Sequence, residues 1–149
     1  MTLLKRLDKI ALAGWLCTVL ALSGTANAFF GADEPRARVT HADGTESRFY
    51  TTGPAGTSTL RVDVSPTGQV LSRTQVLRDE VFSRIRSGLK ASEVIELIGP
   101  PYQRMRFERS KTTAWDYHYR DSWNNDAEFS VIVDDDGIVV GKFSNRTGS

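Results

Sequence analysis

The chain has 149 residues, of which 40% are hydrophobic and 25% are charged, and its net charge at pH 7 is +1. These values are ordinary for a soluble globular protein with one domain, with or without appendages. A net charge so close to zero gives no support for a nucleic-acid partner, because nucleic-acid binding requires a basic surface.

The first 28 residues have the pattern of an export signal. Three basic residues precede an almost uncharged apolar run at residues 10–22, and Ala26-Asn27-Ala28 is a small-x-small cleavage motif. The apolar run is shorter than the roughly 20 residues that a membrane-spanning helix needs. We therefore expect a signal peptide over residues 1–28, cleavage between Ala28 and Phe29, and export to the periplasm.

Cys17 is the only cysteine, and it lies inside the apolar run. Bacterial lipoproteins place a small residue directly before the lipidated cysteine, whereas Leu16 precedes Cys17 here, so lipidation at Cys17 is disfavoured. After cleavage the protein would have no thiol, which excludes disulfides and a cysteine nucleophile.

Residues 29–37 are predicted to be a flexible lead-in, and residues 38–73 a β-meander. Asp43-Gly44 is a hairpin-turn dipeptide, and apolar residues alternate with polar ones over residues 60–64 as in a half-buried strand. The glycine-rich residues 52–58 lack the lysine and the following helix of a phosphate-binding loop. They are expected to form a plain loop.

Two short helices are predicted next, at residues 74–86 and 90–98. Apolar residues recur at helical spacing and give each helix one apolar face: Leu77, Val81 and Ile85 in the first, and Val94, Leu97 and Ile98 in the second. Gly99 and the two prolines after it end the second helix. Helices this short need a sheet to lie on.

Strand patterns continue from there to a polar tail at residues 144–149. A short candidate strand at residues 104–107 precedes an aromatic strand that has Trp115, Tyr117 and Tyr119 on one face. Two further strands, at residues 129–133 and 138–143, are joined by an acidic turn that ends at Gly137. The alternation predicts an antiparallel meander whose aromatic face lies beneath the helices.

A shift of 69 residues aligns the N-terminal meander with the C-terminal strands. The aligned pairs are Leu60 with Phe129, Val62 with Val131, Val64 with Val133, and Gly68 with Gly137. Periodic β-patterns also match one another by chance, so a structural half-repeat and a coincidence both remain open.

Residues 79–143 resemble the SmpA/OmlA family, which is also called BamE-like. The motifs that carry the resemblance are Ile85-x-x-Gly88, Glu93-Val94, Leu97-Ile98-Gly99-x-Pro101, Trp115-x-Tyr117-x-Tyr119-Arg120, Phe129 to Val133, and Asp136-Gly137-x-Val139.

The resemblance implies an α+β fold in which two short helices pack on an antiparallel three-stranded sheet, as in β-lactamase inhibitor proteins. The helices and sheet would occupy residues 74–143, and the N-terminal meander would be an extra half-repeat.

The resemblance to the SmpA/OmlA family also implies a non-catalytic accessory of the machinery that inserts β-barrels into the outer membrane. Two departures matter: typical members of that machinery are lipoproteins, and the shortest members lack residues 38–72. A soluble periplasmic protein is therefore expected, either free or associated with the outer membrane, and the partner's identity stays open.

We expect no catalytic residues, no cofactor and no metal. The sequence pairs neither His41 nor His118 with a serine and an acid. Ligands with the spacing of a metal site are lacking, and the acidic turn at residues 134–137 lacks the EF-hand pattern. Glu93 and Glu96 are close on the second helix, but they are expected to form a charged outer face and not an acid–base pair.

Five residues are candidates for partner binding: Trp123, Tyr102, Arg104, Arg106 and Arg120. Trp123 lies in a polar loop, where it can anchor an interface or fold back on the sheet. The segment with Tyr102, Arg104 and Arg106 is basic and aromatic. It suits a protein partner, an anionic lipid surface or a solvated edge that discourages strand pairing. Arg120 is added because it matches a family position.

Together these features predict a periplasmic module that assists outer membrane protein assembly or envelope integrity by docking through a sheet edge or loop patch. Its expected partner is an envelope protein, such as a subunit of the barrel-assembly machinery, and any membrane contact is expected to be peripheral. One alternative is an inhibitor-like protein of the same fold that plugs a partner enzyme with loop aromatics such as Trp123. Another is an enzyme, which requires a pocket with convergent titratable groups.

Overall fold

A computed structural model describes residues 34–52 and 56–146. The predicted signal peptide, its cleavage site between Ala28 and Phe29, and most of the lead-in lie outside the described residues. Within the described part, no helix has the length and apolar character needed to span a bilayer.

The described chain forms eight strands and two short helices. The first four strands make one antiparallel sheet in chain order, and the last four make a second. The bounds are β1 (Ala37–Thr40), β2 (Glu46–Thr51), β3 (Thr59–Val64), β4 (Val70–Gln75), α1 (Asp79–Phe82), α2 (Ala91–Ile98), β5 (Gln103–Phe107), β6 (Thr112–Arg120), β7 (Asp126–Asp134) and β8 (Val139–Arg146).

The expected fold class, two helices on a three-stranded sheet, is wrong. The protein is mostly β, with two four-stranded antiparallel sheets and only two short helices. The fourth strand of the second sheet is β5, which pairs with β6 from Gln103↔Asp116 to Phe107↔Thr112. Pairing gives the backbone groups of this polar segment hydrogen-bond partners that an irregular loop would lack.

The first predicted helix is much shorter than expected. Thr74 and Gln75 remain in β4, where they pair with Arg61 and Leu60 of β3, and α1 has only one turn. Strand pairing takes precedence because the helical pattern over residues 74–86 is weak at its start, where a β-branched threonine favours the extended chain.

The two helices cover one face of the second sheet. Phe82 of α1 stacks on Phe129 with ring centroids 4.0 Å apart and meets Tyr119 edge-on at 4.8 Å. Val94 and Ile98 of α2 are fully buried in the same cluster. Each such side chain contributes about 1.5–3 kcal/mol when it leaves water, so this face is the main core.

The first sheet joins this core at the end of α2. Gly99 has a φ of 78°, and a Cβ there would lie 2.9 Å from the ring of Phe49 on β2. The Tyr117 hydroxyl donates a hydrogen bond to the Gly99 carbonyl at 3.0 Å. Phe49 belongs to the same buried cluster as Phe82 and Phe129, so both sheets contribute to one core.

The 69-residue shift seen in the sequence relates two hairpins of the structure. The register of β3–β4 shifts between Asp63 and Val64, and that of β7–β8 shifts between Ile132 and Val133, which is the same position after the shift. In both hairpins the ladder therefore bulges at corresponding places.

The two turns correspond as well. The Ser65 N–H donates to the Gln69 carbonyl at 2.8 Å, and the Asp134 N–H donates to the Ile138 carbonyl at 2.9 Å. Each turn also contains a glycine with positive φ, Gly68 in one and Gly137 in the other. The β3–β4 and β7–β8 hairpins are therefore two copies of one local structure.

Candidate functional site at an exposed sheet edge

The sheet edges differ in how well they are protected against pairing with another strand. An edge strand presents unpaired N–H and C=O groups, and a bulge discourages such pairing. The ladders of β4 and β8 with their neighbours both contain a bulge. The start of β8 is also covered, because the Gly88 N–H donates to the Val139 carbonyl and the Val139 N–H donates to the Leu89 carbonyl, each at 2.8 Å. The β1–β2 register is unbroken, but β1 has only four residues, and a short edge strand offers little backbone for pairing.

In the described part of the chain, the β5 edge has neither a bulge nor a covering segment, and its charged side chains are Arg104 and Arg106. All five of its residues are exposed, and its register with β6 is unbroken. Met105 and Phe107 are 46% and 44% exposed and lie on the face away from the helices, while Arg104 and Arg106 lie on the helix side. The edge therefore has an apolar row on one side and a basic row on the other.

Neighbouring side chains hold the two arginines in place. The Arg104 guanidinium lies 4.5 Å from the ring centroid of Trp115, a cation–π contact. Arg106 forms an ion pair with Asp135 and lies 3.4 Å from a Glu108 carboxylate oxygen. The charge of Arg106 is thus largely compensated, whereas the stacking of Arg104 leaves its charge available.

Tyr102 lies just before β5 and turns onto the outer face of the sheet. Its hydroxyl donates to the Glu128 carboxylate at 2.8 Å, and its ring meets His118 edge-on at 4.0 Å. Burial and then the Glu128 carboxylate raise the pKa of Tyr102, so the hydroxyl stays protonated and remains a donor. This contact fixes the N-terminal end of the edge strand.

The other two predicted binding residues lie at the β6–β7 turn. Trp123 does not fold back on the sheet, because it is 76% exposed. The backbone N–H of Trp123 donates to Asp121 Oδ1 at 2.9 Å, and this hydrogen bond orders the turn. Arg120 donates to the Asn124 carbonyl at 3.2 Å and lies 3.4 Å from Asp126.

The five predicted binding residues do not converge on one site. Tyr102, Arg104 and Arg106 lie along the β5 edge, and Arg120 and Trp123 lie at the turn. Arg106 pairs with Thr113, which on β6 is roughly 23 Å from Arg120 at about 3.3 Å per residue. The structure therefore presents two separate candidate surfaces.

Sequence reasoning missed a polar cluster around His41. His41 Nδ1 lies 3.3 Å from Glu96 of α2, and His41 Nε2 lies 2.8 Å from the Ser47 hydroxyl. The order of acid, histidine and serine is that of a hydrolase triad. Ser47, however, is only 2% exposed, and its hydroxyl donates to Asp63 at 2.6 Å.

A serine that is buried and has committed its proton to a carboxylate cannot attack a substrate. We therefore interpret the His41 cluster as a link between the first sheet and α2. Ser47 and Asp63 are cross-strand neighbours on β2 and β3, a register that the sequence pattern did not predict. The contact with Glu96 depends on tertiary packing. In the part of the chain that the structure describes, no group of three or more histidine or acidic residues is placed to hold a metal ion.

Comparison with protein-family models, with curated proteins and with solved structures found no match to this chain.

Proposed function

We propose that the protein is a non-catalytic periplasmic module that holds an extended segment of an envelope protein during assembly of outer membrane β-barrels. The observation that carries this proposal is the β5 edge, whose five residues are all exposed and whose register is free of bulges. The predicted export signal favours the periplasm, and the sequence resemblance of residues 79–143 to the SmpA/OmlA family favours a role in barrel assembly.

The mechanism is strand addition. An extended partner segment pairs with the free backbone groups of β5, and its alternate side chains meet the two faces of the edge. Apolar residues of the partner lie beside Met105 and Phe107, and acidic residues lie beside Arg104. Strands of β-barrel precursors alternate between apolar and polar residues, so their pattern suits this edge.

The first test measures peptide binding. A fluorescent ten-residue peptide of alternating valine and glutamate is titrated with the protein, and anisotropy reports the affinity. Met105→Lys combined with Phe107→Lys should weaken binding at least tenfold, because lysines on an edge oppose strand pairing. Leu71→Lys and Val140→Lys, which change residues 56% and 49% exposed at the bulged edges, should leave the affinity unchanged. Equal losses in all variants, or none in the double variant, would contradict the proposal.

The second test addresses the process. Deletion of the gene should sensitise cells to large antibiotics and detergents, and the Val140→Lys protein should restore the barrier while the double β5 variant should not. An intact permeability barrier in the deletion strain would overturn the role in barrel assembly without bearing on peptide binding.

One observation favours a second candidate function, an inhibitor-like protein that binds a partner enzyme. Trp123 is 76% exposed on a turn ordered by Asp121, and a tryptophan held in this way can insert into a pocket as an interface anchor. Co-purification from envelope extracts distinguishes the two functions, since the first predicts barrel-assembly subunits and the second a single hydrolase.

A further inference from the structure

A cavity of about 230 Å³ lies at the end of the second sheet where β6 turns into β7. Asp79, Tyr119, Asp121, Ser122, Ser144 and Arg146 are among the residues that line it. Ala127 of β7 pairs with Tyr119 of β6 on one side and with Arg146 of β8 on the other. Its small side chain leaves space between those two larger side chains. The cavity is on the β8 side of the sheet, away from the β5 edge.

One of the two carboxylates in the cavity is already neutralised. Arg146 Nε lies 2.9 Å from Asp121 Oδ2, and Asp121 Oδ1 accepts the N–H groups of Trp123 and Asn125 at 2.9 Å each. The bonds from Asn125 and Trp123 and the charge of Arg146 hold the Asp121 pKa below its usual range. This ion pair forms one side of the cavity.

Asp79 supplies the remaining charge. Asp79 and Tyr119 both line the cavity, and Tyr119 is 3% exposed. Burial and the negative charge of Asp79 raise the Tyr119 pKa against the opposing effect of Ser144, so the phenol stays protonated and neutral. With Asp121 and Arg146 paired, the lining has a net charge of −1.

Trp123 follows the lining residue Ser122, and its backbone N–H donates to the lining residue Asp121. Its side chain is 76% exposed, so the indole is within reach of a ligand in the cavity. The face of an indole attracts a cation, and the Ser122 and Ser144 hydroxyls can accept hydrogen bonds from one. An anion would be repelled by Asp79, because the one lining arginine is engaged by Asp121. We propose that this cavity binds the guanidinium or ammonium group of a basic polypeptide side chain, which pairs with Asp79 and stacks under Trp123.

Two small probes test the proposal by NMR on the full chain. N-acetyl-arginine amide carries one positive charge, and N-acetyl-citrulline amide is its neutral isostere. The arginine probe should shift the Trp123 indole and Ser122 amide signals saturably, with a Kd on the order of 1–10 mM as expected for one ion pair with stacking. The citrulline probe should bind at least tenfold more weakly.

Single substitutions then test which residues bind the arginine probe. Asp79→Asn should lower the affinity for the arginine probe at least tenfold, and Trp123→Ala should lower it severalfold. Glu80→Gln is the matched control, because it removes the same charge from the adjacent, exposed position of α1, and it should bind like the wild type. Equal binding of both probes, wild-type affinity in Asp79→Asn, or no shift at about 50 mM probe would each overturn the proposal.

Discussion

Asp63 on β3 shows how one side chain organises the first sheet. Its carboxylate accepts hydrogen bonds from Ser47 and Ser72, each at 2.6 Å, and Oδ1 lies 3.2 Å from Arg61 Nε. Burial alone would raise the pKa of Asp63, but the two serine hydroxyls and the arginine outweigh burial and hold the pKa below its usual value.

This depressed pKa predicts a pH-dependent contribution to stability. The folded state binds the proton less tightly than the unfolded chain. The contribution is therefore complete above the unfolded pKa of about 4 and is lost as pH falls through the folded value. We expect Asp63→Asn to lower the free energy of unfolding at pH 7 by about 1–3 kcal/mol. The deficit should shrink as the pH is lowered from about 5 towards 2.

Urea unfolding at a series of pH values measures this effect. Asp136→Asn, at an exposed turn position, serves as the control and should follow the wild-type curve. A deficit in Asp63→Asn that stays constant down to acid pH would show that the amide disturbs packing, and that the carboxylate contributes nothing through its charge.

Among the elements, the two equivalent turns offer a matched comparison. Gly68 has a φ of 87° and Gly137 a φ of 75°, a region that costs a side chain roughly 1–2 kcal/mol. A Cβ at Gly68 would meet nothing within 4 Å, and one at Gly137 would make only an ordinary contact with Ala91. Backbone strain is therefore the main penalty at both sites.

We expect Gly68→Ala and Gly137→Ala each to lower the free energy of unfolding by about 1–2 kcal/mol. The asparagine variants should cost less, since asparagine tolerates this conformation. Gly141→Ala is the control, because Gly141 lacks a positive φ and a Cβ there would meet nothing within 4 Å. Chemical denaturation gives the free energy of unfolding of all five variants. A cost at Gly141 as large as at the turns would contradict the strain argument.

The elements also show what the sequence can and cannot predict. The second helix was predictable because Val94, Leu97 and Ile98 repeat at helical spacing and Gly99 ends the pattern; the structure has α2 at Ala91–Ile98. The short strand at residues 104–107 was also predicted, and the structure has β5 at Gln103–Phe107. Its place as a fourth strand of the sheet was not predicted, because its residues are exposed on both faces and no buried row marks it as part of the sheet. The cavity at Asp79 was not predicted for a different reason, since its residues come from α1, β6, the β6–β7 turn and β8, which are far apart in the sequence.

At the scale of the whole molecule, Phe49 ties the two sheets together. It lies on β2 of the first sheet and is fully buried in the cluster that covers the second sheet. Its ring lies so close to Gly99 that a Cβ there would approach it to 2.9 Å. The contact between His41 Nδ1 and the Glu96 carboxylate, at 3.3 Å, joins the first sheet to α2 at a second point. These contacts make cooperative unfolding of the two sheets the physical expectation.

Phe49→Ala tests this expectation. Removing a fully buried phenylalanine costs about 3–5 kcal/mol, through lost burial and the cavity left behind. If both sheets belong to one cooperative unit, amide hydrogen exchange should accelerate by the same factor in β3 and in β7, and the urea midpoint should fall in a single transition. Leu71→Ala, at a residue 56% exposed, should change the free energy of unfolding by less than about 0.5 kcal/mol. Faster exchange confined to the first sheet, with β7 still protected, would mean that the second sheet folds alone and that Phe49 only docks the first sheet onto it.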